Sequence, residues 1–278
     1  MLLPRILTAL ALLALLIPAL LAGSPLPFAA LTLLLIGAGG WEWARLNALK
    51  PGYAVGSGVL VAGLCAAAWQ SGAAQSAPAW VWWLATTCWV LGGGLALRAG
   101  PQGWPVLSMP ARLLLGAVVL CAAWLALAAA RAQGLNFILS TLCVVWMADI
   151  AAYFGGRAFG RRKLALAISP GKSWEGVWSG GLGVVLLALL WLAFEARVFG
   201  AQSSVFAVLL QRLGWFGGLM ALLSLVGLGV MGDLIESLAK RAAGAKDSSG
   251  LLPGHGGVLD RVDALLPVLP AAMALCSL

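Results

Sequence analysis

Long apolar runs separated by short polar joins occupy almost the whole chain. Each run approaches the length of about 20 residues that crosses a bilayer as a helix. Nine spans are predicted, at 6–22, 26–46, 54–71, 80–98, 111–131, 135–155, 177–196, 214–235 and 258–276. Between the seventh and eighth spans, residues 197–213 leave room for a short surface helix. Because the hydrocarbon core offers no water to open strands, the pattern predicts an all-α, polytopic membrane protein.

The composition supports this fold class. The chain has 278 residues, of which 62% are hydrophobic and 9% charged, and this excludes an ordinary soluble domain. We expect one membrane domain over 1–278, with scaffold helices in 1–131 and catalytic helices and loops in 132–278. The first 130 residues hold one acid, Glu42, and their small residues suit close helix packing. The five cysteines stand alone in apolar runs, so neither a disulfide framework nor a cysteine metal site is expected.

The basic residues predict an orientation. If the spans alternate, 13 of the 17 Lys and Arg residues fall at the N-terminus and in the joins after even-numbered spans, and three fall on the opposite side. Basic residues concentrate on the cytoplasmic side of membrane proteins. We therefore expect a cytoplasmic N-terminus and a periplasmic C-terminus. The dispersal of these residues among loops favours this explanation over nucleic-acid binding.

A first polar cluster runs from Asp149 to Glu175. Its Gly171-Lys172-Ser173 is similar to the tail of a P-loop, but Leu166 stands where that motif needs glycine. A lysine beside a hydroxyl on a tight turn still suits phosphate oxygens, above all where a helix begins. The plainer interpretation is that Ser173 caps a helix with Glu175 in its first turn. The two interpretations are compatible.

A second cluster lies near the C-terminus, where five of the nine acids fall between 233 and 263. Asp233 and Glu236 share a helical face, and Asp260 and Asp263 repeat that spacing. If spans eight and nine are neighbours, carboxylates from both converge at one membrane boundary. Carboxylates beside phosphate-binding cations suit Mg²⁺. A GxGxxG pattern over 227–232 lies within a span, so we interpret it as close helix packing and not as a dinucleotide site.

The C-terminal cluster resembles the signature of the phosphatidate cytidylyltransferases. The matching residues are Ser237, Lys240-Arg241, Lys246-Asp247, Pro253, His255-Gly256-Gly257 and Asp260-Arg261-Val262-Asp263. The first cluster is similar to the same family at Asp149, Ala152-Tyr153, Gly156-Arg157, Gly160, Ser169-Pro170, Lys172-Ser173 and Glu175-Gly176. Ala239 and Leu166 depart from the family's usual pattern. Trp41-Glu42-Trp43 is a weaker similarity.

The resemblance implies CTP and phosphatidic acid as substrates, and CDP-diacylglycerol and pyrophosphate as products for phospholipid biosynthesis. It implies a Mg²⁺-dependent centre of two metals, the second of which can be a monovalent cation, and a homodimer in the bacterial inner membrane. We expect an active site at the cytoplasmic ends of the C-terminal helices, with no nucleic acid as partner.

We assign roles to the residues as a hypothesis. The catalytic group is Asp233, Asp260, Lys172 and His255. Substrate binding falls to Ser173, Lys240, Arg241, Lys246, Arg261, Asp149 and Glu175. Asp233 and Asp260 share the metal, with Asp247 and Asp263 as further ligands or supporting residues.

Two other functions are consistent with part of the pattern. A CTP-dependent lipid kinase would release CDP in place of pyrophosphate. A transporter of anions would line a path with these charges, but they concentrate in loops at one face and few lie within spans.

Overall fold

A computed structural model describes the backbone of residues 2–278 and the side chains from Ile6 onward, so Arg5, counted above among the basic residues, lies outside the described side chains. The α-helices are α1 (Leu2–Leu21), α2 (Leu26–Leu46), α3 (Pro51–Gln70), α4 (Ala73–Ser76), α5 (Ala79–Cys88), α6 (Gly94–Gly103), α7 (Met109–Ala132), α8 (Leu135–Phe159), α9 (Trp174–Phe199), α10 (Val205–Ala242), α11 (Leu259–Val262) and α12 (Leu265–Leu275). Two strands, β1 (Lys163–Ala165) and β2 (Ser169–Ser173), form an antiparallel pair between α8 and α9.

The helical membrane architecture is confirmed. Within the described part of the chain, seven helices are long and apolar enough to cross a membrane: Leu26–Leu46, Pro51–Gln70, Ala79–Val106, Met109–Ala132, Leu135–Phe159, Trp174–Phe199 and Val205–Ala242. The third of these combines α5 and α6 with a π-helical turn at Trp89–Gly93 and a 3₁₀ turn at Trp104–Val106. The long apolar runs therefore form helices, as their length and composition predict.

The predicted spans at the two ends of the chain lie outside these seven helices. The first corresponds to α1 (Leu2–Leu21), a 20-residue helix whose side chains are described from Ile6 to Leu21. The ninth corresponds to α11 and α12, and the 11 residues of α12 rise only about 16 Å, against a hydrocarbon core of about 30 Å. Every side chain from Leu266 to Ala274 is buried. An apolar run can thus be a core helix of the bundle as well as a lipid-crossing one.

Helix α10 is longer than the eighth predicted span. It begins at Val205, continues through a kink at Gly214, and ends at Ala242. Gly214 has φ 67° and ψ −177°, a conformation that glycine adopts readily. The helical stretch before the kink accounts for the short helix expected within 197–213.

Side-chain contacts place alternate connections at opposite ends of the bundle. At one end, Arg131 donates to the carbonyl oxygen of Ala22 over 2.9 Å, and the backbone N–H of Leu135 donates to Gln202 Oε1 over 3.0 Å. At the other end, the Trp43 indole N–H donates to the carbonyl oxygen of Arg112 over 2.8 Å. The basic joins after α2 and before α7 therefore lie together, away from the joins after α1 and α7.

The glycine pattern over 227–232 acts in helix packing. A Cβ on Gly232 would lie 2.4 Å from the carbonyl oxygen of Asp263 and 2.9 Å from Pro267. A Cβ on Gly229 would be in ordinary contact with Val268, at 3.5 Å. Glycine at 232 therefore lets α10 approach the start of α12 closely, as interpreted from the sequence.

Candidate active site

A cavity of about 550 Å³ opens between α8, β2, α9 and α10. Its polar end carries Asp149, Lys172, Ser173 and Asp233, four of the predicted site residues. Its apolar walls include Val144, Val145, Leu225 and Val226. Sequence reasoning assigned neither Tyr153 nor Arg157 to the site, although both line this cavity. The arrangement offers a charged compartment and a hydrophobic one to the same ligand.

Lys172 and Asp233 form an ion pair across this cavity. The Lys172 ammonium lies 2.5 Å from Asp233 Oδ2, and the two side chains are 26% and 30% exposed. The second oxygen of Asp233 accepts from the Ser237 hydroxyl over 3.2 Å, one turn further along α10. Both partners remain partly accessible to solvent, so a ligand entering the cavity can compete for them.

The β-hairpin explains how Lys172 reaches α10. Strand β2 pairs with β1 at Lys163–Ser173 and Ala165–Ser169, with an irregularity between them. The sequence did not predict these strands. Ser173 then caps α9, because its hydroxyl oxygen accepts from the backbone N–H of Gly176 over 3.2 Å. The predicted helix cap is therefore present, and it fixes the residue next to Lys172.

Glu175 holds the connection before the hairpin. Its carboxylate accepts from the backbone N–H of Arg161 over 3.1 Å and from that of Arg162 over 3.1–3.2 Å. A carboxylate in the first turn of α9 also interacts favourably with the helix dipole. Glu175 therefore shapes the loop beside the cavity and does not line the cavity itself.

Small residues bring α8 and α9 close enough to form the cavity wall. A Cβ on Gly176 would lie 3.0 Å from the carbonyl oxygen of Ala152, and one on Gly180 would lie 3.0 Å from that of Ala148. A Cβ on Gly160 would be 2.8 Å from Ser173 Oγ. The glycines of the first polar cluster thus allow the close approach of backbone that positions Ser173 and Lys172.

Asp263 faces the same group of charges from the turn between α11 and α12, outside the seven spans. Burial raises the pKa of its carboxyl to about 7, and the negative charge of Asp233 acts in the same direction. Lys172 opposes the shift, and Asp149 adds to it. Asp149, Asp233 and Asp263 therefore form an acidic group around one ammonium, and a further cation would stabilise it.

Asp260 belongs to a second cluster, beside the first. Its Oδ1 lies 2.6 Å from the ammonium of Lys240, which also pairs with the buried Glu236. Its Oδ2 accepts from the backbone N–H groups of Ser248 at 2.9 Å and Gly257 at 2.7 Å. Burial alone would raise the pKa of Asp260, but the bonds from Lys240 and from these two N–H groups outweigh it and lower that pKa to about 2.

The remaining predicted site residues lie in the last turn of α10, in the loop that follows it, and in α11. Lys246 and Asp247 are exposed. Arg241 donates to the carbonyl oxygen of Ala245 over 3.3 Å, and Arg261 donates to that of His255 over 2.7 Å. In the described structure, His255 Nδ1 is buried without a hydrogen-bond partner. The loop therefore presents cations at its surface, whereas Lys240 is buried in an acidic environment.

Sequence reasoning missed the role of Glu42, which it named as the one acid of the first 130 residues and within the weaker Trp-Glu-Trp similarity. This carboxylate in α2 is fully buried and accepts from Val258 N–H over 2.9 Å and from Leu259 N–H over 2.8 Å. Its isolation as an acid in an apolar half was the available signal. Glu42 therefore joins α2 to Val258 and Leu259, at the end of the loop that follows α10.

The donor set fits Mg²⁺ in part. Among the side chains described from Ile6 onward, no group of three or more Asp, Glu, His or Cys residues is placed to hold a metal ion. Mg²⁺ needs fewer protein ligands than that, since it often binds one or two carboxylates together with substrate phosphates. The hard oxygens of Asp233 and Asp263, crowded enough to raise a carboxyl pKa, match this chemistry.

Comparisons with known proteins cover the full site. The model of the cytidylyltransferase family matches residues 3–278. The phosphatidate cytidylyltransferase of Pseudomonas aeruginosa is 41% identical over 286 residues, covering 99% of this chain and 97% of that protein. The phosphatidate cytidylyltransferase of Haemophilus influenzae is 44% identical over 138 residues, covering 50% of this chain and 44% of that protein. The chloroplastic phosphatidate cytidylyltransferase 5 of Arabidopsis thaliana is 41% identical over 133 residues, covering 48% of this chain and 30% of that protein.

Proposed function

The chain belongs to the cytidylyltransferase family, as its signature residues predicted, and from this premise we propose that the cavity between α8, β2, α9 and α10 is its active site. The enzyme is a phosphatidate cytidylyltransferase, a multi-pass membrane protein that makes CDP-diacylglycerol and pyrophosphate from CTP and phosphatidate. The observation that carries the location is the Lys172–Asp233 pair at the polar end of an otherwise apolar cavity.

The two compartments of the cavity correspond to the two parts of a phospholipid. The apolar side chains at 144, 145, 225 and 226 suit the acyl chains and the glycerol backbone, which must stay out of water. The charged end suits the phosphate headgroup and the triphosphate of the nucleotide. A lipid substrate can therefore remain partly in the membrane while its phosphate reacts.

The reaction joins a lipid phosphate oxygen to the α-phosphorus of CTP. The new bond is oxygen to α-phosphorus, and the bond that breaks links the α-phosphorus to the bridging oxygen of the leaving pyrophosphate. The lipid phosphate is already nucleophilic, so no strong general base is needed. Repulsion between two anions and the charge on pyrophosphate are the obstacles, and positive charge reduces both.

The chain supplies positive charge to the cavity through Lys172, which we propose leaves Asp233 and binds phosphate when substrates enter. Asp233 and Asp263 would hold Mg²⁺, which supplies charge neutralisation for the attacking and leaving oxygens when bound. Within the predicted metal group, Asp260 has its oxygens engaged by Lys240, Ser248 and Gly257. We therefore favour Asp233 with Asp263 over Asp233 with Asp260.

Exposed cations on the loop extend the site toward the solvent. Three exposed cations lie there: Arg241 in the last turn of α10, Lys246 in the loop after it, and Arg261 in α11. We propose that they attract the nucleotide and bind its outer phosphates. In a bacterial inner membrane with these loops in the cytoplasm, CTP would arrive from solution and phosphatidate from the bilayer. We retain the homodimer and a second, monovalent cation as parts of the proposal.

The test distinguishes transfer of the cytidylyl group of CTP from transfer of its γ-phosphoryl group. Purified protein is incubated with phosphatidate, Mg²⁺ and CTP labelled in the cytosine ring, and the lipids are extracted. Label in the lipid phase together with pyrophosphate release is expected, and Lys172→Gln should reduce both. In a parallel incubation with diacylglycerol in place of phosphatidate, transfer of label to lipid only from γ-labelled CTP, with release of CDP, would identify a lipid kinase and contradict the proposal.

A further inference from the structure

Glu42 is an acid in the half of the chain otherwise occupied by scaffold helices, and its environment is unusual for a membrane helix. It is 0% exposed, and no Lys, Arg or His nitrogen among the described side chains is close enough to form a salt bridge with it. A buried carboxylate without a cation is costly unless hydrogen-bond donors surround it. The donors must therefore account for its presence.

All four donors to Glu42 come from one segment, residues 248–259, more than 200 positions away in sequence. The hydroxyl of Ser249 and the N–H of Val258 donate to Oε1, over 2.5 and 2.9 Å. The hydroxyl of Ser248 and the N–H of Leu259 donate to Oε2, over 3.2 and 2.8 Å. Both carboxylate oxygens thus hold the two ends of the same loop together.

Ser248 connects Glu42 to the second cluster of the site. Its hydroxyl lies 3.2 Å from Glu42 Oε2 and 2.8 Å from Asp260 Oδ2. A hydroxyl carries one hydrogen, so the two carboxylates share a single donor. Asp260 in turn binds Lys240 of α10. A continuous series of contacts therefore runs from α2 through the loop to the helix that bears Asp233.

Two glycines of the loop leave the space that the carboxylates of Glu42 and Asp260 occupy. A Cβ on Gly257 would lie 2.0 Å from Ser248 Oγ and 2.3 Å from Glu42 Oε1. Gly256 has φ 81°, and a Cβ there would lie 2.6 Å from Asp260 Oδ2. Backbone without side chains is needed at both positions for the loop to close around the two acids.

We infer that Glu42 is a positioning residue for catalysis: it holds residues 248–259 in the conformation that places Asp260, which directly follows this segment, against Lys240 of α10. This inference concerns the reaction assigned under the proposed function and rests on it for its kinetic readout. Glu42 reaches neither the cavity nor the exposed loop cations, so its effect on turnover passes through the loop. The N-terminal helices thereby contribute to the active site.

The test compares Glu42→Gln with Glu195→Gln as a matched control. Like Glu42, Glu195 accepts from both a side chain and the backbone, namely the Asn136 amide at 3.1 Å and the Ser204 N–H at 3.3 Å. These contacts join α8, α9 and the start of α10 at the far end of the bundle. The measurements are kcat, KM for CTP, the melting temperature, and the rate of tryptic cleavage after the exposed Lys246, followed by mass spectrometry. The cleavage rate reports the loop without any need for activity.

We expect Glu42→Gln to lower kcat and to accelerate cleavage after Lys246, each at least about tenfold, because an amide cannot accept from all four donors. Glu195→Gln should leave both near wild type, even where it lowers the melting temperature equally. Equal kcat and equal cleavage in the two variants would overturn the inference.

A second variant keeps the test decisive if Glu42→Gln does not fold. Ser249→Ala removes one donor on the outer part of the loop and should accelerate cleavage after Lys246 by roughly two- to tenfold. Wild-type cleavage in Ser249→Ala would contradict the loop-holding role. If the wild-type protein itself formed no CDP-diacylglycerol, the proposed function would fail, and the cleavage rates would still decide whether Glu42 holds the loop.

Discussion

Replacing Lys172 by Gln tests whether the cavity cation takes part in the reaction. The change removes the ammonium that pairs with Asp233 Oδ2 but retains most of the length of the side chain. A charge-assisted hydrogen bond to a phosphate is worth about 1.5–3 kcal/mol, or about 10- to 150-fold in kcat/KM. The existing pair, with side chains 26% and 30% exposed, must be broken first, and such accessible pairs are worth about 0–1 kcal/mol. We therefore expect a loss near the lower end, of about tenfold to thirtyfold.

The same substitution has a second effect of opposite sign. Without the ammonium, Asp233 has only the Ser237 hydroxyl as a described partner, so a metal ion no longer competes with a cation for it. The Mg²⁺ concentration for half-maximal activity should therefore fall while kcat/KM also falls. A purely structural role for Lys172 would lower kcat/KM without lowering the Mg²⁺ concentration for half-maximal activity.

The assay is CDP-diacylglycerol formation in mixed micelles, with Mg²⁺ and CTP each varied at a saturating level of the other. Lys163→Gln is the control, since Lys163 pairs with Ser173 in the same hairpin but is exposed and does not line the cavity. Its kinetics should match those of the wild type. If Lys172→Gln retained kcat/KM within twofold of Lys163→Gln, Lys172 would be only a stabilising residue of the hairpin.

Two further predictions concern the metal and the orientation. If Asp233 and Asp263 hold one metal ion, the double Asn variant should be hardly less active than either single variant, whereas the losses of Asp233→Asn and Asp260→Asn should multiply when the two are combined. Steady-state CDP-diacylglycerol formation by folded variants measures both, and losses that also multiply for Asp233→Asn and Asp263→Asn would refute a shared ion. Although α12 is short, its end lies beside the end of α7, where Gln133 Nε2 donates to Met273 Sδ over 3.5 Å. Reporter fusions after Gln75 and at the C-terminus should therefore be periplasmic and one after Gly250 cytoplasmic, and a cytoplasmic C-terminal reporter would contradict the predicted orientation.

The sequence predicted the helices well because a bilayer restricts backbone choices. A run such as 111–131 can satisfy its N–H and C=O groups in hydrocarbon only as a helix, and Met109–Ala132 is one. The last run was less informative. Composition does not distinguish lipid from the protein interior, so the buried 11-residue helix Leu265–Leu275 was assigned the length of a full span.

The hairpin and the Glu42 contacts escaped prediction for a different reason. Strand β1 has three residues, too few for a period-2 pattern, and its structure depends on pairing with β2. The bonds between Glu42 and the segment 248–259 join positions more than 200 residues apart. Nothing local in either segment specifies the partner. The charges of the site were visible in the sequence, but the contacts that sort them into two clusters were not.

Because Asp233 and Asp260 lie in different clusters, they differ in how readily they can exchange their present partners for a ligand. Asp260 Oδ2 is held by the N–H groups of Ser248 and Gly257, which belong to a loop fixed at both ends and cannot leave without unfolding it. Asp233 is held by the ammonium of Lys172 and the hydroxyl of Ser237, groups on rotatable side chains. A ligand can displace rotatable donors at the cost of side-chain conformations alone, whereas backbone donors must be displaced together with the fold. Asp233 is therefore the carboxylate suited to exchanging its partner for a metal ion in each catalytic cycle, and Asp260 the one suited to keeping the loop in place while that exchange occurs.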